Sequence, residues 1–196
     1  NSLKRTKTKV YTGDIPINKI VSNKLDYTMS AVVGLAGLQP TIDAIKTSRR
    51  VAIANKETII CGWEILSRYI KKYKTEIIPV DSEHFSIMEL TRGISNEEVE
   101  EIIITASGGP FLNTTINKLK KVKAKQAIKH PNWKMGKKIS VDSATMMNKV
   151  FEVIEACKLF KFDKSKYKIM IHPQSYVHSI IRFKNGLIKM ILYNTD

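Results

Sequence analysis

The sequence predicts an α/β protein, and three observations carry that expectation. Strand-like and helix-like stretches alternate along almost the whole chain. The strand-like ones are short runs of β-branched and other apolar residues. Polar clusters recur directly after them, where open α/β sheets place their ligands. The 196 residues suffice for one domain or two small lobes, and 43% hydrophobic with 26% charged content is that of a globular protein. No apolar run approaches the roughly 20 residues of a membrane-spanning helix.

Taken in order, Tyr27 to Val33 reads as a strand, and Gly34-Leu35-Ala36-Gly37-Leu38 turns into a helix near Pro40, a residue favoured in a first helical turn. This glycine pair is not G-x-G-x-x-G; a close helix–strand crossing explains it as well as a nucleotide turn does. Val51 to Ala54 is a buried strand, followed by Asn55-Lys56-Glu57 and an apolar helix from Thr58 to about Ile70. The polar triplet reads either as a ligand-facing turn or as a capped helix start.

The stretch Glu76 to His84 holds the densest chemistry. Its apolar half is a strand, and it stops at Asp81-Ser82-Glu83 before a helix from about His84 to Thr91. If the strand persists through the acids, Asp81 and Glu83 share a side about 6–7 Å apart. At an effective dielectric of about 20 the two carboxylates repel by roughly 2–3 kcal/mol. A divalent cation between them reverses that sign, and oxygen ligands suit Mg²⁺ or Mn²⁺. A solvated acidic loop is the other reading of the fragment.

Ser95 to Glu98 is a turn or helix start, and Val99 to Thr105 is the next strand, ending in Ala106-Ser107-Gly108-Gly109-Pro110-Phe111. Consecutive glycines let backbone N–H groups approach an anion, and Ser107 adds a hydroxyl; a plain turn accounts for the same residues. A lysine-rich helix leads to His130-Pro131-Asn132-Trp133-Lys134-Met135-Gly136, which reads as a lid over a ligand or as a loop pinned by its Trp. Lys138 to Asp142 reads as a strand and Val150 to Phe160 as a helix. Asn148 and Lys149 lie four and three residues before Glu152, so the three share a helix face. Tyr167 to Ile171 is followed by His172-Pro173-Gln174-Ser175. Val177 to Phe183 and Leu187 to Tyr193 form a hairpin at Asn185-Gly186, the one antiparallel feature expected.

The net charge of +15 leaves a nucleic-acid-binding module open as a non-enzymatic reading. Against it, the lysines are scattered and aromatics do not interleave with them as stacking platforms. A basic surface around a site for phosphorylated substrates accounts for the charge equally well. Cys61 and Cys157 lie far apart inside expected helices and read as reduced core residues, with no disulfide framework or zinc spacing. The chain opens on Asn1 without a signal-peptide pattern and reads as part of a longer one.

Six segments occur in one order: Ala54 to Glu57, Pro79 to His84, Ser107 to Phe111, His130 to Gly136, Val141 to Lys149 and Ile171 to Ser175. In that register the chain resembles the 1-deoxy-D-xylulose 5-phosphate reductoisomerases of the non-mevalonate isoprenoid pathway, from about Asp26 onward. The resemblance implies the second half of a Rossmann-like NADPH domain, residues 1–80, joined to an α/β catalytic domain, residues 81–196, with a C-terminal antiparallel hairpin. It implies Asp81, Glu83 and Glu152 as ligands of Mn²⁺, Mg²⁺ or Co²⁺, these acids and Lys149 being the catalytic set. Lys56, Ser82, Glu83, Ser107, His130, Ser143, Asn148, Lys149 and Glu152 are the implied substrate contacts. Asn55, Glu57 and Gly136 are the implied NADPH contacts. The family's glycine-rich phosphate turn and C-terminal helical domain have no counterpart in this sequence. The resemblance further implies a homodimer, in the plastid (an apicoplast, for example) of a eukaryote or the cytoplasm of a bacterium, with no nucleic-acid or membrane partner. A metal-dependent lyase or aldolase acting on a phosphorylated sugar remains the enzymatic alternative; it would keep the acids and dispense with the nicotinamide.

Overall fold

The structure is a computed structural model and describes residues 17–129 and 136–194, together with Gly13 and Ile15. The chain is α/β and divides into two compact units, Asn1–Ile78 and Pro79–Asp196.

The first unit runs α1 (Ile17–Ile20), β1 (Leu25–Ser30), a 3₁₀ turn (Leu35–Gly37), α2 (Leu38–Thr47), β2 (Ser48–Ile53), α3 (Lys56–Tyr73) and β3 (Glu76–Pro79). Its sheet has the order β1-β2-β3, with β1 and β2 parallel and Tyr27 opposite Arg50. The β-branched run of β2 is buried, as are Ile42, Ile45, Ile59 and Leu66 on the helices. Helix α3 starts at Asn55, whose side chain accepts from the Thr58 N–H, and stops at Lys74 in the left-handed region, φ 52°. Strand β1 ends at Ser30, short of the expected Val33, because the chain must turn sharply there. A Cβ on Gly37 would lie 2.4 Å from the Val32 carbonyl oxygen, and Gly34 has φ +75°. The glycine pair therefore serves a close crossing.

The second unit is built on a four-stranded sheet, β5-β4-β6-β7, from β4 (Val99–Ala106), β5 (Tyr167–Ile171), β6 (Val177–Phe183) and β7 (Ile188–Leu192). Strand β4 pairs parallel with β5 and antiparallel with β6, so the terminal hairpin is not the only antiparallel pairing. Helices α4 (Ser82–Leu90) and α8 (Met147–Phe160) supply Ile87, Leu90 and Ala156 to a core with Ile102, Ile104, Ile181 and Phe183. The hairpin turns as the Asn-Gly pair predicts: Gly186 has φ +85° and its N–H donates to the Phe183 carbonyl at 2.9 Å.

Three expectations fail here. Lys138 to Asp142 is not a strand but part of helix α7 (Lys137–Ala144). The Ile139–Val141 alternation is too short to decide the period. A Lys138–Asp142 ion pair at 2.7 Å and a Ser140 hydroxyl donating to the Gly136 carbonyl at 3.0 Å both bind residues four apart. Nor does the strand continue through the acids: β3 stops at Pro79, Asp81 is the N-cap of α4 and Glu83 lies in its first turn. The lysine-rich segment forms two single-turn helices, α5 (Ile116–Leu119) and α6 (Ala124–Ala127), in place of one.

Among the described residues no helix is long and apolar enough to cross a membrane. Cys61 is exposed on α3, against the expectation of a core residue, while Cys157 on α8 is half-buried. Burial, with Asp163 nearby, pushes the Cys157 thiol up from its ordinary value. Since the thiolate is the nucleophile, a maleimide at neutral pH is expected to label Cys61 several-fold faster than Cys157. Peptide mapping of a labelling time course checks this; equal rates would contradict it.

Candidate active site

The site in the second unit begins where β3 gives way to α4. Glu83 in the first turn of α4 sits at the positive end of the helix dipole. The Asp81 side chain makes no capping bond to α4. Helix α8 presents Asn148, Lys149 and Glu152 on one face, as their spacing predicts. Although about seventy positions separate the two helices in sequence, they pack together, and one carboxylate oxygen each of Asp81, Glu83 and Glu152 lies within 4.8 Å of the others.

Lys149 is set among these acids. Its ammonium donates to Glu83 Oε1 and stands 2.6 Å from Glu152 Oε2. The lysine is 6% exposed and Glu152 1% exposed, so both charges are held away from water. Burial alone would raise the Glu83 carboxyl, but the Lys149 ammonium bonded to it, with the His178 imidazole 3.7 Å away, holds it well below the usual carboxylate range. Burial likewise works against the Lys149 ammonium, and Glu83, Glu152 and Asp81 together raise it above its ordinary value. The two shifts have one cause, mutual attraction in a dry site.

Each acid is also oriented. The Ser82 hydroxyl donates to Glu83 Oε2 at 2.9 Å; its oxygen can then only accept from His178 Nδ1, also at 2.9 Å. Ser179 Oγ donates to the Glu83 carbonyl at 3.0 Å. The Asn148 amide donates to Glu152 Oε1. His84, Asp81 and Glu155 form a second group, again within 4.8 Å. The donor set fits a divalent ion: three carboxylates and one ammonium leave two negative charges, and hard oxygens suit Mg²⁺ or Mn²⁺.

A second cluster follows β4. Gly108 and Gly109 adopt φ +88° and +67°, and the Ser107 hydroxyl accepts from the Gly109 N–H at 3.2 Å. A Cβ on Gly109 would lie 2.8 Å from the Ser143 carbonyl oxygen, so the glycine turn packs directly on the end of α7. The turn thereby brings the Ser107 loop to Ser143, and two residues past α7 the chain enters α8 with Asn148 and Lys149. Hydroxyl, amide and ammonium donors of this kind suit a phosphate.

The remaining sequence candidates are placed as follows. Gly136 is the exposed N-cap of α7. His130, with most of the expected lid, lies outside the described residues. Asn55, Lys56 and Glu57 belong to the first unit, where the Asn55 amide donates to the Val32 and Gly34 carbonyls while capping α3. Sequence reasoning missed His178, Ser179, His84 and Glu155. Glu155 had a signal, one helical turn beyond Glu152, and His84 closed the acidic stretch. His178 and Ser179 had only the weak one of a polar pair inside an apolar strand, 96 positions from the residues they touch.

Two family models match the chain, 1-deoxy-D-xylulose 5-phosphate reductoisomerase over residues 1–62 and the C-terminal domain of the same enzyme over residues 77–160. The reductoisomerase of Pelagibacter ubique is 52% identical over 196 residues, covering 99% of this chain and 50% of its own length. That of Clostridium kluyveri is 44% identical, covering 100% and 51%. A crystal structure of such an enzyme in complex with NADPH, fosmidomycin and magnesium superposes with a TM-score of 0.80 at 37% identity, over 87% of this chain and 44% of that one. The Zymomonas mobilis enzyme in complex with NADPH gives 0.79 at 40% identity, over 87% and 44%. The chain spans about half the length of the curated relatives it matches. With 44–52% identity to those relatives along nearly its whole length, the chain belongs to the 1-deoxy-D-xylulose 5-phosphate reductoisomerase family.

Proposed function

We propose that this chain serves the family's reaction: metal-dependent skeletal rearrangement of 1-deoxy-D-xylulose 5-phosphate, then reduction by NADPH to 2-C-methyl-D-erythritol 4-phosphate. The observation that carries the reading is the convergence of Asp81, Glu83 and the buried Glu152 around the buried Lys149. Those three acids hold the divalent ion, Mn²⁺ or Co²⁺ as well as Mg²⁺. When bound, the ion polarises the carbonyl and hydroxyl oxygens of the substrate as a Lewis acid. Lys149 supplies a fixed positive charge for oxygen atoms that gain negative charge, and its buried setting makes that charge effective. Ser82 keeps Glu83 aimed at the site. Ser107, Ser143, Asn148 and His130 bind the phosphate, which anchors the substrate while its carbon skeleton reacts. Lys56 completes the substrate contacts, and Asn55, Glu57 and Gly136 would hold NADPH, which would supply the reducing hydride when bound. The exposed apolar side chains of β7, Ile188, Met190 and Leu192, support self-association as a homodimer. The protein's location follows its source, the cytoplasm of a bacterium or the plastid of a eukaryote.

The test is a turnover assay on the complete protein with the phosphorylated ketose, Mn²⁺ and NADPH. Nicotinamide absorbance is expected to fall only when all three are present, and Ser143→Ala is expected to raise KM for this substrate by roughly tenfold, the loss of one charge-assisted hydrogen bond. Metal-dependent consumption of the sugar with no loss of NADPH would instead establish the lyase or aldolase reading.

A further inference from the structure

The imidazole of His84 touches both ligand-bearing helices where they meet. It is completely buried on α4, one turn past Asp81. Its Nε2 lies 2.8 Å from the backbone carbonyl oxygen of Glu152 on α8. A carbonyl only accepts, so Nε2 carries the proton and donates it. The opposite edge faces Asp81, with Nδ1 3.5 Å from Oδ1, a polar contact longer than a close hydrogen bond. A Glu155 oxygen belongs to the same group. The ring is backed by Phe160, their centroids 6.4 Å apart. A ring held this way has no rotamer freedom, so the distance from Asp81 to the helical turn bearing Glu152 is set by the width of an imidazole.

We propose that His84 is a positioning residue for the divalent-cation site: it spaces Asp81 against Glu152 so that the carboxylates of α4 and α8 converge on one ion. The inference rests on the metal reading given above. A histidine that only fills the core would stabilise the fold without changing affinity for the ion. A strut between ligands changes affinity even where the fold is intact, as residues behind a metal shell commonly do.

The experiment compares His84→Gln, His84→Asn and His84→Leu in the complete protein, with Mn²⁺ binding followed by the electron paramagnetic resonance of the free ion and folding followed by thermal melting. A glutamine amide nitrogen falls near the place of Nε2 and keeps the bond to the Glu152 carbonyl; asparagine is too short to reach it. Expected Mn²⁺ dissociation constants are within about threefold of the parent for Gln and about ten- to a hundredfold weaker for Asn and Leu. Should the leucine variant fail to fold, the Gln–Asn comparison decides. Asparagine binding Mn²⁺ as tightly as the parent, with only its melting temperature lowered, would overturn the proposal. Asp81→Asn, run alongside, separates the two layers. If the parent binds no Mn²⁺, or Asp81→Asn binds it unchanged, the metal reading falls and this inference with it. If Asp81→Asn loses the ion while the His84 variants keep it, only the role of His84 is refuted.

Discussion

Replacing Lys149 with methionine is expected to destabilise the metal-free protein by about 3–5 kcal/mol, the usual cost of removing one partner from a buried ion pair. Methionine has similar length and packs where lysine packed, so the loss isolates the charge. Without the ammonium, Glu83 and Glu152 are left buried side by side, and the attraction that holds the Glu83 carboxyl low disappears. The sign of the pH dependence then follows. In the parent, Glu83 is lowered, so its contribution is present above the ordinary carboxylate range and is lost as pH falls through the lowered value. Lys149 is raised, so its contribution is present below the ordinary lysine range and is lost only as pH rises through the raised value. Between about pH 5 and about pH 8 the parent keeps both contributions. The variant instead gains stability toward the acid end, because a buried carboxylate that has lost its cation takes up a proton. Added Mn²⁺ should stabilise the variant more than the parent, since it replaces the missing charge. Urea denaturation across that pH range checks all of this. A loss below about 1 kcal/mol would mean that the pair behaves like an exposed salt bridge.

Gly109→Ala is the second large effect. Alanine at φ +67° costs roughly 1–2 kcal/mol from backbone conformation alone. Its Cβ would also sit 2.8 Å from the Ser143 carbonyl oxygen, which is backbone and cannot swing aside. The turn after β4 and the end of α7 must then separate, and with them the hydroxyls of Ser107 and Ser143. The expected result is a stability loss of at least about 2 kcal/mol together with a weakened grip on phosphate-bearing substrate. A rise in KM of more than about tenfold with kcat nearly unchanged is the signature, because the acids on α4 and α8 are untouched. A variant that binds the phosphorylated substrate and a dephosphorylated analogue with equal losses would contradict the phosphate role of the turn.

The strands of both sheets were legible because their apolar runs are β-branched and are punctuated by turn residues, as Val51 to Ile53 and the Asn185-Gly186 hairpin illustrate. Helix α7 was not, because Ile139 and Val141 mimic a strand while the residues that make the helix, Lys138, Ser140 and Asp142, act four apart through polar contacts. Asp81 and Glu83 were legible as an acidic pair but with the wrong geometry. They meet around a helix N-terminus and not along a strand, with one oxygen of each within 4.8 Å of the other. Glu152 joined them only through the family resemblance, since nothing local in a sequence specifies a partner about seventy positions away. The second layer, His84, His178 and Ser179, is set by tertiary packing of α4 against α8 and β6, which residue spacing does not encode.

Everything proposed for the site depends on Asp81, Glu83 and Glu152 sharing one cation. Crystals of the complete protein grown with Mn²⁺ and measured at the manganese absorption edge locate the ion directly. The expected anomalous map has one strong peak in the second unit, about 2.1 Å from a carboxylate oxygen of each of the three acids. A peak seated among Asp81, His84 and Glu155 with nothing beside Glu83, or no peak in that unit at all, would contradict the account.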